Sequence, residues 1–323
     1  MEKKLKLLAL PLAFLAVVPV HAQDIRTVTD ATGVQVALPS DLTRITVVDP
    51  LNSLEALLSL GIPPTQIGQR AFVQKWTGDP LKQWPWLETR LAELGADPLR
   101  MNGDEIDLEA IAKCDPDVVL VNQYWFADNR PLLEQIAPVI ATPKADVRET
   151  ITLYGEVFGQ QEKAADVLAA WDKRITGELA GLAPEGATVA VMRTDEPGSF
   201  AVFNQPGAYG PLNLFLQAGF SQPPEIVAAG SDYQGLGASF SLERLDVLAG
   251  ADVLVVLGFS PEPTAAFLAD PLAQSVPAIA EGRVVVVEQG PVAQALAMMS
   301  PLNFDVVLPL AQEAAEKAAG ARE

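Results

Sequence analysis

The chain has 323 residues with 41 acidic and 22 basic side chains, a formal net charge of −19, one cysteine and one histidine. So negative a chain repels nucleic acid and anionic lipid and suits a partner carrying positive charge. The lone cysteine, Cys114, cannot close a disulfide within the chain; it sits in an apolar helical stretch and reads as a small buried hydrophobe.

Lys3, Lys4 and Lys6 precede an apolar run from Leu7 to Val18, and Val20-His21-Ala22 offers small residues at the two positions a signal peptidase reads. This predicts an exported chain cleaved before Gln23, with residues 1–22 as signal peptide and no stable membrane insertion afterwards. Gln23 is not a cysteine, so nothing suggests a lipoprotein, and the periplasm is the expected location. Removing Lys3, Lys4, Lys6 and Glu2 takes the net charge from −19 to −21. His21 leaves with the leader, so the mature chain has no imidazole. That excludes Ser-His catalysis, histidine-based zinc or manganese centres and His-ligated haem iron. CxxC, HExxH and Walker-type patterns are also missing.

Arg26–Pro39 alternates apolar and polar residues around Thr32-Gly33 and reads as a small opening hairpin. Arg44–Asp49 is a buried-type strand, Ser53–Leu60 a helix stopped by Gly61, and Ile67-Gly68 a second short strand. A loop holding Trp76, Trp84 and Trp86 follows. Leu108–Lys113 is helical, Asp117–Val121 a strand, and Leu132–Ile136 with Val139-Ile140 repeats the helix-then-strand rhythm of parallel α/β layers. Val147, Ile151, Tyr154 and Phe158 keep helical spacing up to Gly159. A second helical run from about Gln160 to Leu182, roughly 33 Å long, is expected to act as a stiff strut between two halves. The rhythm then restarts with strands over Thr188–Met192, Phe200–Phe203, Asp252–Leu257 and Arg283–Glu288. Helices over Pro211–Gln217, Leu242–Leu248 and Phe304–Ala318 accompany them. The halves echo each other: Leu108-Glu109 precedes Asp117-Val118-Val119, and Leu242-Glu243 precedes Asp252-Val253-Leu254.

Asp30-Ala31-Thr32-Gly33, Arg44-Ile45, Leu54–Gly61, Leu108-Glu109 through Pro116-Asp117-Val118, and Gly159 through Ala164 occur in an order and spacing that carry a resemblance across the whole mature chain. The sequence resembles the periplasmic iron–siderophore and cobalamin-type substrate-binding proteins of ABC importers. That resemblance implies an α/β fold of two Rossmann-like lobes joined by a single long backbone helix. The expected divisions are 23–145 for the first lobe, 146–183 for the helical connector and 184–323 for the second lobe. It further implies a cleft between rigid lobes, a monomer, and one surface glutamate per lobe docking on arginines of the permease that works with an ATPase. Glu109 and Glu243 stand at the matching positions.

In open α/β lobes, ligands gather at the carboxyl ends of strands. That rule nominates Asn52, Arg70, Tyr124, Trp125, Arg193 and Phe259; Trp76 and Trp84 could rim the cleft. The family often presents an aromatic where Tyr233 lies. Aromatic faces suit the apolar flanks of a siderophore, and guanidinium groups its metal-bound oxygens. Iron would arrive as a pre-formed chelate, with no intrinsic cofactor or protein-supplied metal ligand. The acidic chain favours a hydroxamate over a tri-anionic catecholate. A corrinoid or haem cargo is the alternative within this architecture. An exported carboxylate-dependent hydrolase is the alternative outside it, although no carboxylate pair stands out by spacing and no enzyme is expected.

Overall fold

Asp30 organises the first turn of the fold. Its Oδ1 accepts hydrogen bonds from the Thr32 N–H (2.9 Å), the Thr32 hydroxyl (2.7 Å) and the Val34 N–H (3.1 Å), while Gly33 takes φ +81°. This closes the expected hairpin, β1 (Ile25–Thr29) against β2 (Gln35–Pro39), in antiparallel register. Its Oδ2 reaches into the neighbouring sheet and accepts from Arg130 Nη1 (2.6 Å) and the Ala141 N–H (3.2 Å). Burial pushes the Asp30 carboxyl up, but the Thr32 hydroxyl, Arg130 and the backbone donors outweigh it and hold it below the ordinary 3.8. The computed structural model describes residues 25–48, 53–70, 84–103, 106–123, 129–143, 146–194, 198–205, 210–230, 237–258, 261–288 and 290–321.

The first sheet is parallel throughout, in the order β5 (Leu99–Gly103), β4 (Gln66–Arg70), β3 (Ile45–Val47), β6 (Val118–Asn122), β7 (Val139–Thr142). β6 is buried along its whole length because both faces are covered: Val118 and Leu120 face one apolar cluster, Val119 and Val121 another. Such strands read as continuous apolar runs rather than alternating ones. Helix α1 (Ser53–Ser59) is wholly buried, and α2 (Pro85–Glu93) lies beside it through Leu87 and Leu91. Helix α2 replaces part of the expected loop; Pro85 takes its first position, where a missing N–H costs nothing. Helix α3 (Leu108–Lys113) is capped by Asp107, whose side chain accepts from the Ala110 N–H at 2.9 Å. Cys114 ends α3 only half-buried, a correction to the buried placement expected from its apolar neighbours.

Two helices lie between the sheets in sequence. Helix α4 (Val147–Val157) is capped by Asp146 and turns at Gly159 (φ +65°) into α5 (Gln161–Arg174). A Cβ on Gly155 would stand 2.8 Å from that of Ala164, so glycine lets these helices approach closely. Helix α5 runs without a break into π-type turns over Ile175–Leu179, closed by the Ala180 N–H on the Ile175 carbonyl at 2.8 Å. The continuous rod therefore spans 161–179, slightly shorter than expected, ending where Gly181 adopts φ +78°. Trp171 and Leu179 join an apolar cluster that includes Val47 and Leu120 of the first sheet and Val189 and Val255 of the second.

The second sheet has the order β10 (Gly237–Ser241), β9 (Ser199–Phe203), β8 (Val189–Thr194), β11 (Val253–Gly258), β12 (Val284–Glu288). It is mixed. β8, β11 and β12 are parallel, while β9 runs antiparallel to both β8 and β10. The sequence predicts only parallel layers, but four residues between β8 and β9 are too few for a crossover helix, so the chain must double back. Helix α6 (Leu212–Gln217) and the closing helices α7 (Pro291–Ala297) and α8 (Phe304–Ala319) complete this half. Arg174 at the end of α5 binds Glu178 (2.8 Å) and Asp305 (2.6 Å), pinning the rod to the start of α8.

The repeated aspartates have a common structural role. Asp117 Oδ2 accepts from the Thr43 N–H (2.9 Å), the Thr43 hydroxyl (3.2 Å) and the Arg44 N–H (2.7 Å) just ahead of β3. Asp252 Oδ2 accepts from the Thr188 N–H (2.9 Å) and hydroxyl (3.1 Å) just ahead of β8. In each sheet, one carboxylate clamps the start of a strand to the start of its parallel neighbour, fixing their register. Burial pushes the Asp117 carboxyl up, yet the Arg44 and Thr43 N–H groups and the Arg44 guanidinium hold it low. Asp117→Ala is expected to cost about 1–3 kcal/mol, since it strips an acceptor from two N–H groups and a charged partner. Urea unfolding of wild type and variant checks this, and a midpoint unchanged at equal slope would refute it.

Candidate ligand-binding site

The carboxyl ends of the strands carry buried polar groups in both halves. In the first, Ser53 Oγ at the start of α1 lies 3.2 Å from Thr142 Oγ1 at the end of β7. Asn122 ends β6 fully buried and donates to the Pro143 carbonyl at 3.1 Å. In the second, Thr194 at the end of β8 lies 2.9 Å from Thr264 Oγ1. A pocket of about 220 Å³ opens beside it, lined by Gly258, Thr264, Leu268, Val286 and Glu288. Hydrogen-bonded hydroxyls and amides of this kind make a stiff polar floor under whatever occupies the edge above them. None of these polar groups was nominated from sequence. Ser and Thr at strand ends carry no pattern that separates a floor from an ordinary turn.

Arg193 is the penultimate residue of β8, opposite Leu257 and Ala201, and its side chain is half-buried. Arg70 closes β4. Asn52, Trp76, Tyr124, Trp125, Tyr233 and Phe259 lie outside the described residues. Trp84 differs from the expectation: it is 3% exposed and packs with Leu54, Leu58, Ile67, Leu87 and Leu91. The cause is α2, whose start at Pro85 turns Trp84 into its N-cap and inward, away from a cleft rim. Glu109 and Glu243 are both exposed, each in the first turn of a short helix. Glu109 pairs with Lys113 at 2.8 Å, a surface contact of small energetic weight.

The two halves meet next to this edge. The turn 298–303 between α7 and α8 reaches the first half, where Leu302 packs against the cluster of Leu54, Leu58 and Trp84. At its centre Glu55, in the first turn of α1, is 4% exposed. Its Oε2 lies 2.6 Å from Ser300 Oγ, and its Oε1 accepts from Trp86 Nε1 (2.7 Å) and Asn303 Nδ2 (3.3 Å). Burial without a cation raises the Glu55 carboxyl from the ordinary 4.5 to about 7, against the opposing pull of the Ser300, Trp86 and Asn303 donors. Among the described residues, no group of three or more His, Cys, Asp or Glu side chains is placed to hold a metal ion. No helix among them is long and apolar enough to cross a membrane.

Residues 59–290 match the profile of a family described as periplasmic binding protein, which takes in β4 through β12. The chain belongs to that family. This periplasmic binding protein is 26% identical over 130 residues to the iron(3+)-hydroxamate-binding protein YxeB of Bacillus subtilis, covering 38% of this chain and 40% of that one. It is 28% identical over 155 residues to the iron(3+)-hydroxamate-binding protein FhuD of the same organism, covering 46% and 48%. The chain thus spans less than half the length of either of these curated relatives. In fold it is similar to PiaA of Streptococcus pneumoniae in complex with ferrichrome, with TM-score 0.72 and 22% identity over 90% of this chain and 99% of that one.

Proposed function

We propose that this periplasmic binding protein captures a ferric siderophore of the hydroxamate class between its two lobes and hands it to an ABC permease coupled to an ATPase. The observation that carries this reading is the match across both sheets, joined to a fold likeness with a ferrichrome complex over 90% of the chain. The acidic composition and the absence of histidine after residue 21 support a cargo that brings its own coordinated iron. Arg193 and Arg70 at strand ends would bind the metal-bound oxygens, Tyr124, Trp125, Tyr233, Phe259 and Trp76 would pack on the apolar flanks, and Asn52, five residues on from β3 in sequence, would add a polar contact. Glu109 and Glu243, one exposed carboxylate per lobe, would dock on permease arginines. Delivery from the periplasm follows from the leader-like residues 1–22.

Tryptophan fluorescence titration of the mature protein tests the cargo. Saturable quenching by ferrichrome, with weaker or no response to ferric catecholates, is the expected result. Quenching by a corrinoid or haem alone would keep the architecture and replace the function; silence towards every ferric siderophore would refute the reading. Arg193→Ala is expected to weaken ferrichrome binding at least tenfold, the loss of a charge-assisted hydrogen bond being worth about 1.5–3 kcal/mol. Unchanged affinity would remove Arg193 from the site.

A further inference from the structure

One row of residues at the carboxyl edge of the second sheet has a gap in it. Gly258 of β11 stands opposite Thr194 of β8 on one side and Glu288 of β12 on the other. The Thr194 hydroxyl is engaged with Thr264 at 2.9 Å, and these two residues are 2% and 4% exposed. Gly258 supplies no side chain, so nothing from the sheet fills the space between that closed pair and Glu288. A strand glycine in such a place lets a ligand come close. The pocket of about 220 Å³ occupies this gap.

Its floor is the sheet face of Gly258, Val286 and Glu288, and the helix Pro261–Ala269 walls it with Thr264, Ala265 and Leu268. Val286 is 43% exposed in the middle of a strand of valines, and Leu268 is half-buried. Those alkyl surfaces gain by exchanging water for a hydrocarbon chain. Glu288 alone among the lining residues carries a charge, and it is exposed with no cation bound to it among the described residues. The basic groups on the neighbouring elements are engaged elsewhere: Arg283 with Glu281, and Lys317 with Glu313. An apolar slot beside an unpaired carboxylate is complementary to an alkylammonium, whose chain takes the walls while its charged head stays wet at the carboxylate.

We propose that Glu288 selects the cargo: this pocket takes the protonated aminoalkyl arm of a ferric hydroxamate whose iron centre sits at the same edge. The inference rests on the functional reading above and narrows its cargo to chelates with a free primary amine. Arg193 directly precedes Thr194 in β8, and by alternation its side chain lies on the opposite face, with Val191 and Leu257. Cargo lying over the edge reaches Arg193 on one face and the pocket on the other. β8 and β12 are two strand spacings apart, about 10 Å, which an aminoalkyl arm and a glutamate side chain span together. Three hydroxamates neutralise the ferric ion, so a protonated amine makes the whole cargo cationic, in keeping with a chain of net charge −19. The same carboxylate repels a tri-anionic catecholate, so one residue both attracts the right cargo and rejects the wrong one.

The test compares three ferric trihydroxamates by tryptophan fluorescence titration of the mature protein. Ferrioxamine B is linear and ends in a primary amine; its N-acetylated form keeps the iron centre and loses the charge; ferrichrome is cyclic and has no amine. Ferrioxamine B should bind wild type roughly threefold or more tightly than its acetylated form at low salt, the range of a partly exposed ion pair. That ratio should shrink as salt rises. Glu288→Gln should bring it to about one, and Glu288→Lys should take it below one. Equal affinity of wild type for the two linear chelates, or a preference that survives Glu288→Gln, would overturn the proposal. No binding of any of the three would strike the functional reading and this inference with it. Binding of ferrichrome or the acetylated chelate without an amine preference would strike the inference alone.

Discussion

Asp30→Ala will destabilise the protein by about 3 kcal/mol, the low end of the cost of breaking a buried ion pair, because Glu134 still holds Arg130 at 2.7 Å. The Asp30 side chain is wholly inaccessible and Arg130 is only 14% exposed, so removing the carboxylate takes one of two carboxylate partners from a guanidinium held between the hairpin and β7. The N–H groups of Thr32, Val34 and Ala141 lose their acceptor as well. Asp30→Asn keeps one acceptor and should fall between wild type and alanine. The effect depends on pH. Because the folded carboxyl sits below 3.8, its contribution is complete above that value and is lost as pH falls through the folded one. Denaturant unfolding at pH 7 and pH 3 checks both parts, and a difference between wild type and Asp30→Ala that is as large at pH 3 would contradict the charge argument.

Reversing both carboxylates proposed to dock on the permease, Glu109→Lys with Glu243→Lys, is expected to reduce siderophore-dependent uptake to the level of cells lacking the binding protein. Ferrichrome affinity should stay within twofold of wild type. Both side chains are exposed in the first turns of short helices, so charge reversal there buries nothing and breaks no core contact. Two repelling contacts against a cationic partner remove both attraction and register. Each single reversal should leave partial uptake. Undiminished transport by the double variant would show that the permease reads a different face. Lys113→Ala frees Glu109 from its neighbour 2.8 Å away and should leave uptake unchanged or raise it slightly.

The fold was legible where physical constraints repeat at short range. The runs around Val118–Val121 and Val253–Leu257 announce strands covered on both faces, and Gly159 between two helical spacings announces the bend before the rod. Other elements carried the wrong surface signal. β5, Leu-Arg-Met-Asn-Gly, is a sheet edge with Leu99 64% exposed, so no burial pattern marks it. β10 opens with Gly237 because a Cβ there would overlap the Val202 carbonyl, and that glycine made the segment look like loop. Pro85 beside Trp84 and Trp86 likewise suggested a loop where proline begins a helix. The candidate site was legible only as a rule about strand ends. Glu55 stood in plain view in Leu54–Gly61, yet its burial depends on Ser300 and Asn303, which no local window contains. The echo of Asp117 and Asp252 was visible as spacing, and its meaning as a strand clamp needed the partner threonines.

The turn 298–303 has a bearing on how the chain is made. Leu302 and the Ser300–Glu55 contact finish a surface of the first half with residues that leave the ribosome only after both sheets have been made. A chain made amino end first delivers β1 to β7 early, but leaves the face of Leu54, Leu58 and Trp84 incompletely covered until the turn between α7 and α8 arrives. Completion of the first half thus waits on the synthesis of the second. It also makes the first half a poor candidate for production on its own: cut before residue 298, it would carry an apolar face and an unsupported carboxyl into solvent.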